Sequence, residues 1–192
     1  MKLNKSNFII LLFLVITASL YRVWDGRPMG FAPQIAMALF AGSVCRDKRF
    51  AFLFPVFSML ISDLIYQFLY VQGLTPIKGF YGGQWQNYLL IASVTIIGFF
   101  ISKNKISHII AGSLGGAVYY FIISNFLVWA GGGLDINNQP YEKSFNGLIT
   151  CFTAALPFFK WSLVSTLLFN GVFFGSFYYL GKSVLKRELQ SV

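Results

Sequence analysis

The chain has 192 residues, of which 56% are hydrophobic and only 11% are charged, and its formal net charge is +9. A soluble domain carries about 25% charged residues, so this composition excludes water as the main solvent. The basic residues fall in short clusters between apolar runs and not on one face, which argues against nucleic acid and favours membrane lipid as the partner.

Six apolar runs predict an all-α integral membrane protein with one transmembrane domain over residues 1–192, because about 20 apolar residues cross a bilayer as a helix. The first run follows a basic segment, as in a cleaved signal peptide, but the sequence retains Met1 and we expect a first span. The second run would be only about 24 Å long, so we expect it to tilt little or to be sheltered by neighbouring helices. The six predicted spans cover residues 8–21, 29–44, 50–71, 87–102, 106–130 and 161–181.

Residues 147–159, before the last span, are apolar but too few to cross a bilayer. They follow a loop rich in Gly, Asn and Gln. Pro157 and Lys160 interrupt the apolar pattern at their end. We therefore expect a short interfacial or re-entrant helix in this position.

The positions of Lys and Arg predict that both termini are cytoplasmic, because cytoplasmic segments carry the excess of basic residues. With the N terminus inside, the cytoplasmic segments contain ten basic residues: Lys2, Lys5, Arg46, Lys48, Arg49, Lys103, Lys105, Lys182, Lys186 and Arg187. The outer segments contain five: Arg22, Arg27, Lys78, Lys143 and Lys160. A seventh span would move the basic C terminus outside, so the charges favour six spans.

The sequence shows no catalytic constellation. The single histidine, His108, has no acid near it in the sequence, and Ser176 stands where a phosphate-binding loop ending in Gly-Lys-Ser needs its first glycine. Cys45 and Cys151 lie at opposite faces of the predicted topology, and no Cys/His cluster suits zinc. We expect no enzymatic activity, no cofactor, no metal site and no disulfide.

Asp63 is the most informative single residue, because an ionisable group inside a hydrophobic span is costly and normally faces the protein interior or water. Two interpretations stay open: a ligand-binding carboxylate, or a buried ion pair that fixes helix packing. In either case we expect Asp63 to face the interior and to bond Arg22, Arg27 or a side-chain amide.

Two further patterns also have two interpretations each. Aromatic residues near the predicted outer face form either a membrane-interface belt or stacking surfaces for a flat ligand: Tyr81, Trp85, Tyr88, Trp129 and Trp161. Small residues spaced four apart on a helix serve either internal packing or the docking of another membrane subunit. They include Ala32, Ala36, Ala38, Gly42, Ala111, Gly112, Gly115, Gly116, Gly171 and Gly175.

One part of the chain resembles a known family. It contains GFAPQIAMALFAG at residues 30–42, a basic turn, Phe54-Pro55, and LISDL at residues 60–64. This stretch resembles the substrate-binding S components of energy-coupling factor vitamin transporters, which are small bacterial membrane proteins.

The resemblance implies a substrate-binding subunit of a micronutrient (vitamin-like) uptake transporter, as a multi-pass protein of the bacterial inner membrane. It implies a small-molecule pocket with four candidates beside Asp63, namely Trp85, Tyr88, Asn125 and Trp129. It also implies a membrane protein partner, a coupling subunit docked on Ala32, Ala36 and Gly42. The alternative is a non-catalytic accessory or structural subunit of a larger envelope complex. An outward pocket would favour the first function, and a filled interior the second.

Overall fold

The computed structural model describes the backbone of residues 5–190 and the surroundings of side chains 12–179. Within these bounds the chain is helical apart from one isolated β-bridge between Leu134 and Pro140. The predicted all-α class is confirmed for the described residues. The helices are α1 (Lys5–Val23), α2 (Gln34–Val44), α3 (Lys48–Val71), α4 (Gln84–Gly98), α5 (Ile106–Ala130) and α6 (Phe145–Gln190).

Helix α2 lies at the centre of the bundle and packs against all five other helices. Ten of its 11 residues are buried. Its length is about 16 Å, whereas the hydrocarbon core of a bilayer is about 30 Å thick. The prediction that neighbours shelter this helix is confirmed.

The predicted bounds of the second and fourth spans were wrong by several residues. Helix α2 begins at Gln34 and not at residue 29, because Gly30 has a φ of 85° and prolines flank it at Pro28 and Pro33; a right-handed helix accommodates neither well. Helix α4 covers Gln84–Gly98 instead of residues 87–102. Three tighter turns follow its end, where each N–H bonds the carbonyl three residues earlier.

The predicted short helix before the last span was also wrong. Helix α6 is one helix of 46 residues that passes through Pro157 and Lys160 without a break. It packs along α5, where Asn170 Nδ2 donates to Ser113 Oγ at 2.7 Å and Phe121 contacts Phe152 and Phe159. This packing offsets the loss of one backbone N–H at the proline, which sequence alone reads as a helix end.

The two basic turns of the described chain lie at one end of the bundle, which we call the basic end. They are residues 45–47, between α2 and α3, and residues 99–105, between α4 and α5. Ser43 Oγ donates to Ile101 O at 2.8 Å and so connects them. Lys103 lies 5.3 Å from the ring of Phe177, which brings α6 to the same end. The loops at residues 24–33, 72–83 and 131–144 lie at the opposite end, the loop end.

Among the residues whose side chains are described, three helices are long and apolar enough to cross a membrane: Lys48–Val71, Ile106–Ala130 and Phe145–Tyr179. Less than half of each of these segments is buried inside the protein. On α5, Ser113, Gly116 and Ala117 are buried, while its large apolar residues remain partly or largely exposed. Small residues inside and large apolar ones outside are typical of helices that face lipid.

Candidate functional site

Asp63 is buried at the loop end of α3, with 2% of its surface exposed. Its Oδ1 forms an ion pair with Nη1 of Arg22, in the last turn of α1. Its Oδ2 accepts hydrogen bonds from Gln84 Nε2 at 2.5 Å and from Tyr88 OH at 2.6 Å. The prediction that Asp63 faces the interior and bonds Arg22 or a side-chain amide is confirmed. Both carboxylate oxygens are therefore occupied by partners from α1 and α4.

Arg22 connects this buried carboxylate to the loop at residues 24–33. Its Nη1 also donates to Ser62 Oγ at 2.5 Å. Its carbonyl oxygen accepts hydrogen bonds from Tyr66 OH at 2.8 Å and from Arg27 Nε at 2.7 Å. The end of α1 and the loop after it are thereby fixed against α3.

A cavity of about 280 Å³ lies beside Arg22 at the loop end, between the 24–33 loop and helices α2 to α6. Its lining is mostly apolar and aromatic, with a few amide and hydroxyl groups. The lining residues are Arg22, Gly30, Ala32, Gln34, Ile35, Met59, Asn87, Ile91, Tyr120, Phe121, Ser124, Asn125, Ala155, Phe158, Phe159 and Ser162. This combination is typical of small-molecule sites, whose volumes begin at about 300 Å³.

Gln34 is the unusual polar group of this cavity. It is the first residue of α2, and only 5% of its surface is exposed. Neither its Oε1 nor its Nε2 has a hydrogen-bond partner within the described protein. A buried polar group without a partner costs about 1–3 kcal/mol, and both amide atoms are enclosed by the protein with almost no accessible surface.

Aromatic rings and one glycine shape the other side of the cavity. Phe121 of α5 and Phe159 of α6 have ring centroids 4.4 Å apart. Gly30 approaches the backbone of Phe158 so closely that a Cβ atom would collide with it, and its φ of 85° is one that L-residues rarely adopt. The loop can therefore close against α6 only with glycine at this position.

The structure brings one of the five predicted ligand-binding residues to the cavity wall. Asn125 lines the cavity, and its Nδ2 donates to Phe121 O at 2.7 Å. Asp63 and Tyr88 bond each other beside the cavity without lining it. Trp85 is 63% exposed at the start of α4. Ligand binding by these residues stays a prediction.

Trp129, the fifth of these residues, lies at the end of α5 and contacts the loop between α5 and α6. Its Nε1 donates to Glu142 O at 2.8 Å, and Lys143 lies 5.4 Å from its ring and bonds its carbonyl oxygen. In the same loop, the backbone N–H groups of Gln139 and Asn137 hold the pKa of the Asp135 carboxyl below its usual range. Trp129 thus fixes the loop to the end of α5.

The three predicted docking residues lie inside the chain or at the cavity. Ala36 is fully buried. Gly42 faces Gly98 of α4 so closely that a Cβ on either would collide with the backbone of the other helix. Ala32 lines the cavity. The small size of Ala36 and Gly42 serves the close approach of helices within the chain in this structure. Docking of a partner on these residues stays a prediction.

Sequence reasoning missed most of the cavity wall. Gln34 carried a usable signal, an amide at the start of a run that is otherwise apolar. Tyr120, Phe121, Phe158 and Phe159 carried none, because aromatic residues at helical spacing are equally typical of lipid-facing surfaces. Among the described residues, no group of three or more His, Cys, Asp or Glu side chains is arranged to hold a metal ion.

Comparison with known proteins gives the chain a family. No curated protein and no solved structure matches it. One family matches residues 2–189, which is nearly the whole sequence. The chain belongs to this family, described as a family of unknown function (DUF6580).

Proposed function

We propose that the chain is the substrate-binding subunit of a micronutrient uptake transporter, a single six-span domain in the bacterial inner membrane. The observation that carries the proposal is the cavity of about 280 Å³ at the loop end, whose wall includes Gln34 and Asn125. Binding sites for small molecules combine apolar walls with a few polar groups that fix orientation. The cavity has this composition.

The distribution of charge supports an outward-facing cavity. Arg46, Lys48 and Arg49 lie at or beside one turn of the basic end, and Lys103 and Lys105 lie at the other. Cytoplasmic segments carry the excess of basic residues, so the basic end faces the cytoplasm in our proposal. The cavity lies at the loop end and would then open toward the outside, where an uptake system meets its substrate.

We assign the predicted site residues to two roles. Asn125 contacts the ligand from α5, together with Gln34 from α2. Asp63 acts through Arg22, because its own oxygens are already bonded while Arg22 lines the cavity. Tyr88 supports Asp63 in the same way. Trp85 and Trp129 belong to the membrane interface, since neither lines the cavity.

An uptake system of this kind also needs an energy-coupling membrane partner. Ala36 and Gly42 are enclosed within the bundle, so this part of the proposal rests on the resemblance over residues 22–63 alone. An accessory subunit of an envelope complex is the alternative function, and it predicts a filled interior. The cavity favours the transport subunit.

Purification from native membranes tests the proposal, with mass spectrometry of the small molecules and proteins that remain bound. Two neighbouring alanines of α6 provide a matched pair, since Ala155 lines the cavity and Ala154 is exposed. We expect wild type and Ala154→Phe to release the same small molecule, and Ala155→Phe to release none at equal membrane abundance. A wild type without any bound small molecule, or an Ala155→Phe variant that retains one, would contradict the proposal.

A further inference from the structure

Arg22 uses only one side of its guanidinium group for contacts within the described protein. Its Nη1 donates to Asp63 Oδ1 and Ser62 Oγ and lies 3.5 Å from Met59 O, while its Nε and Nη2 form no hydrogen bond with the described residues. These two nitrogens are not among the enclosed polar atoms that lack a partner. The side chain keeps 21% exposure and lines the cavity. The edge formed by Nε and Nη2 is therefore open to a ligand.

This open edge has the geometry that a carboxylate matches. The N–H of Nε and one N–H of Nη2 are parallel, and such a pair donates to both oxygens of a carboxylate at once. A ligand carboxylate can bind this edge while Asp63 keeps its ion pair with Nη1 of Arg22. The protein then uses one edge of the guanidinium to hold it in place and the other to bind the ligand.

The charge around Arg22 also favours an anion. Arg27 is its neighbour, because Arg27 Nε donates to Arg22 O at 2.7 Å, and the other hydrogen bonds of Arg27 go to neutral oxygen atoms. Among the described residues, Asp63 is the one acid that forms an ion pair with either arginine. Asp25, in the same loop, is exposed, so water and salt screen its charge. Two cations and one anion leave one excess positive charge, which attracts a ligand with a single negative charge.

The aromatic part of the cavity wall suits a flat, apolar body. Phe121 and Phe159 lie with ring centroids 4.4 Å apart and planes inclined by 32°. Tyr120, which also lines the cavity, interacts electrostatically with the charge of Arg22, so the guanidinium and the aromatic wall belong to one site. Planar rings pack favourably against aromatic faces, and a volume of about 280 Å³ suits a small ring system.

We propose that the cavity binds a small ring compound with one carboxylate group, an inference that rests on the proposed function. The two carboxylate oxygens accept hydrogen bonds from Nε and Nη2 of Arg22. The ring lies against Phe121 and Phe159. Asp63 is a positioning residue, because it holds the guanidinium through Nη1 and does not line the cavity.

Two probe compounds of the same shape test this recognition directly. One is 2-naphthoate, a planar carboxylate that is ionised at neutral pH, and the other is 2-naphthamide, which keeps the ring and the carbonyl but is neutral. Equilibrium dialysis against the full chain in phosphatidylcholine nanodiscs measures both dissociation constants, with empty nanodiscs correcting for uptake by lipid. We expect wild type to bind 2-naphthoate at least about tenfold more tightly than 2-naphthamide. Equal binding of the two probes, or tighter binding of the amide, would overturn the inference.

A pair of variants distinguishes contact with Arg22 from attraction by the net charge of the protein. Arg22→Met with Asp63→Leu removes the guanidinium together with its counter-charge, a change that often preserves stability, and the ratio of the two constants should fall to about one. Lys78→Met removes an exposed cation of the loop end that does not line the cavity, and should leave the ratio unchanged. An unchanged ratio in a folded double variant, or an equal loss in Lys78→Met, would overturn the inference.

The ligand released from native membranes separates this inference from the proposed function. A water-soluble molecule that Ala155→Phe lacks, but that has no carboxylate, overturns the inference and leaves the proposed function intact. A fatty acid carries the same carboxylate but comes from the membrane, and its release as the bound molecule overturns both. A wild-type protein that releases no molecule and binds neither probe overturns both as well.

Discussion

Arg22 forms an ion pair with Asp63 and is at the same time part of the cavity wall. The pair joins the last turn of α1 to α3, and the second carboxylate oxygen joins α3 to Gln84 and Tyr88 of α4. The packing of three helices and the shape of the cavity therefore depend on the same carboxylate.

Asp63→Asn tests this dependence. The variant leaves the guanidinium of Arg22 without its counter-charge, and breaking a buried pair costs about 3–5 kcal/mol. We expect the lower end of that range because the Arg22 side chain keeps 21% exposure. Membrane abundance and the unfolding midpoint in detergent should both fall, whereas Asp25→Asn, at an exposed acid in the loop, should leave both unchanged.

A double variant separates the structural role from a ligand contact. Apolar residues of similar size often replace a buried ion pair without loss of stability, so Arg22→Met with Asp63→Leu should recover part of the abundance that Asp63→Asn loses. It should not recover ligand binding, because Arg22 lines the cavity. Normal ligand retention in the double variant would show that Arg22 neither contacts the ligand nor determines the shape of the cavity.

Gly30→Ala should impair ligand binding more than Gly73→Ala, which strains the backbone to a similar degree at another position. Gly30 and Gly73 both have positive φ, 85° and 70°, so alanine at either position costs about 1–2 kcal/mol. Nothing lies within 4 Å of a Cβ on Gly73, whereas a Cβ on Gly30 meets the backbone of Phe158. Gly30→Ala should displace the loop from α6 and lose the bound ligand, while Gly73→Ala retains it. Equal retention in both would contradict the assigned cavity wall.

The reactivity of Cys45 should depend steeply on pH. Burial, and to a smaller degree the carboxylate of Asp47, raises the pKa of the Cys45 thiol to about 11. Only the thiolate reacts, so the rate of alkylation by iodoacetamide in a Cys151→Ser background should rise about tenfold per pH unit from about pH 7 to about pH 10. Asp47→Asn should react faster at each pH. A plateau below about pH 9 would show a more exposed thiol.

Reporter fusions test the proposed sidedness. A cytoplasm-active reporter after Val192 and a periplasm-active reporter between Asn137 and Asn138 should both be active, because ten of the fifteen Lys and Arg residues fall in the proposed cytoplasmic segments. Activity of a periplasmic reporter after Val192 would reject the six-span topology. The side of the membrane toward which the cavity opens would then have to be assigned again.

The sequence predicted those features that carry a large free-energy cost within a single segment. Asp63 stood out because a carboxylate in an apolar span requires a partner. Arg22 was one of three expected partners, together with Arg27 and a side-chain amide, and the structure shows the ion pair with Arg22. The continuity of α6 through Pro157 could not be predicted, because it depends on packing along α5 that no local pattern records. Small residues at Ala36 and Gly42 indicated a close contact but did not identify which helix makes it.

The candidate site was predicted in part. Asn125 lines the cavity, but the wall also needs Gln34 and four aromatic residues of α5 and α6. Their convergence depends on the length of α6 and on the loop that Gly30 allows to fold against it. These are tertiary relationships between segments far apart in the sequence, and periodicity within one segment does not reveal them.

Native mass spectrometry of the intact protein, released from lipid nanodiscs, tests the central claim most directly. The account predicts one small molecule bound to each wild-type and each Ala154→Phe chain, and a bare chain for Ala155→Phe, because only Ala155 lines the cavity. Bare chains throughout, or the same added mass on Ala155→Phe, would contradict the claim that this cavity binds a ligand.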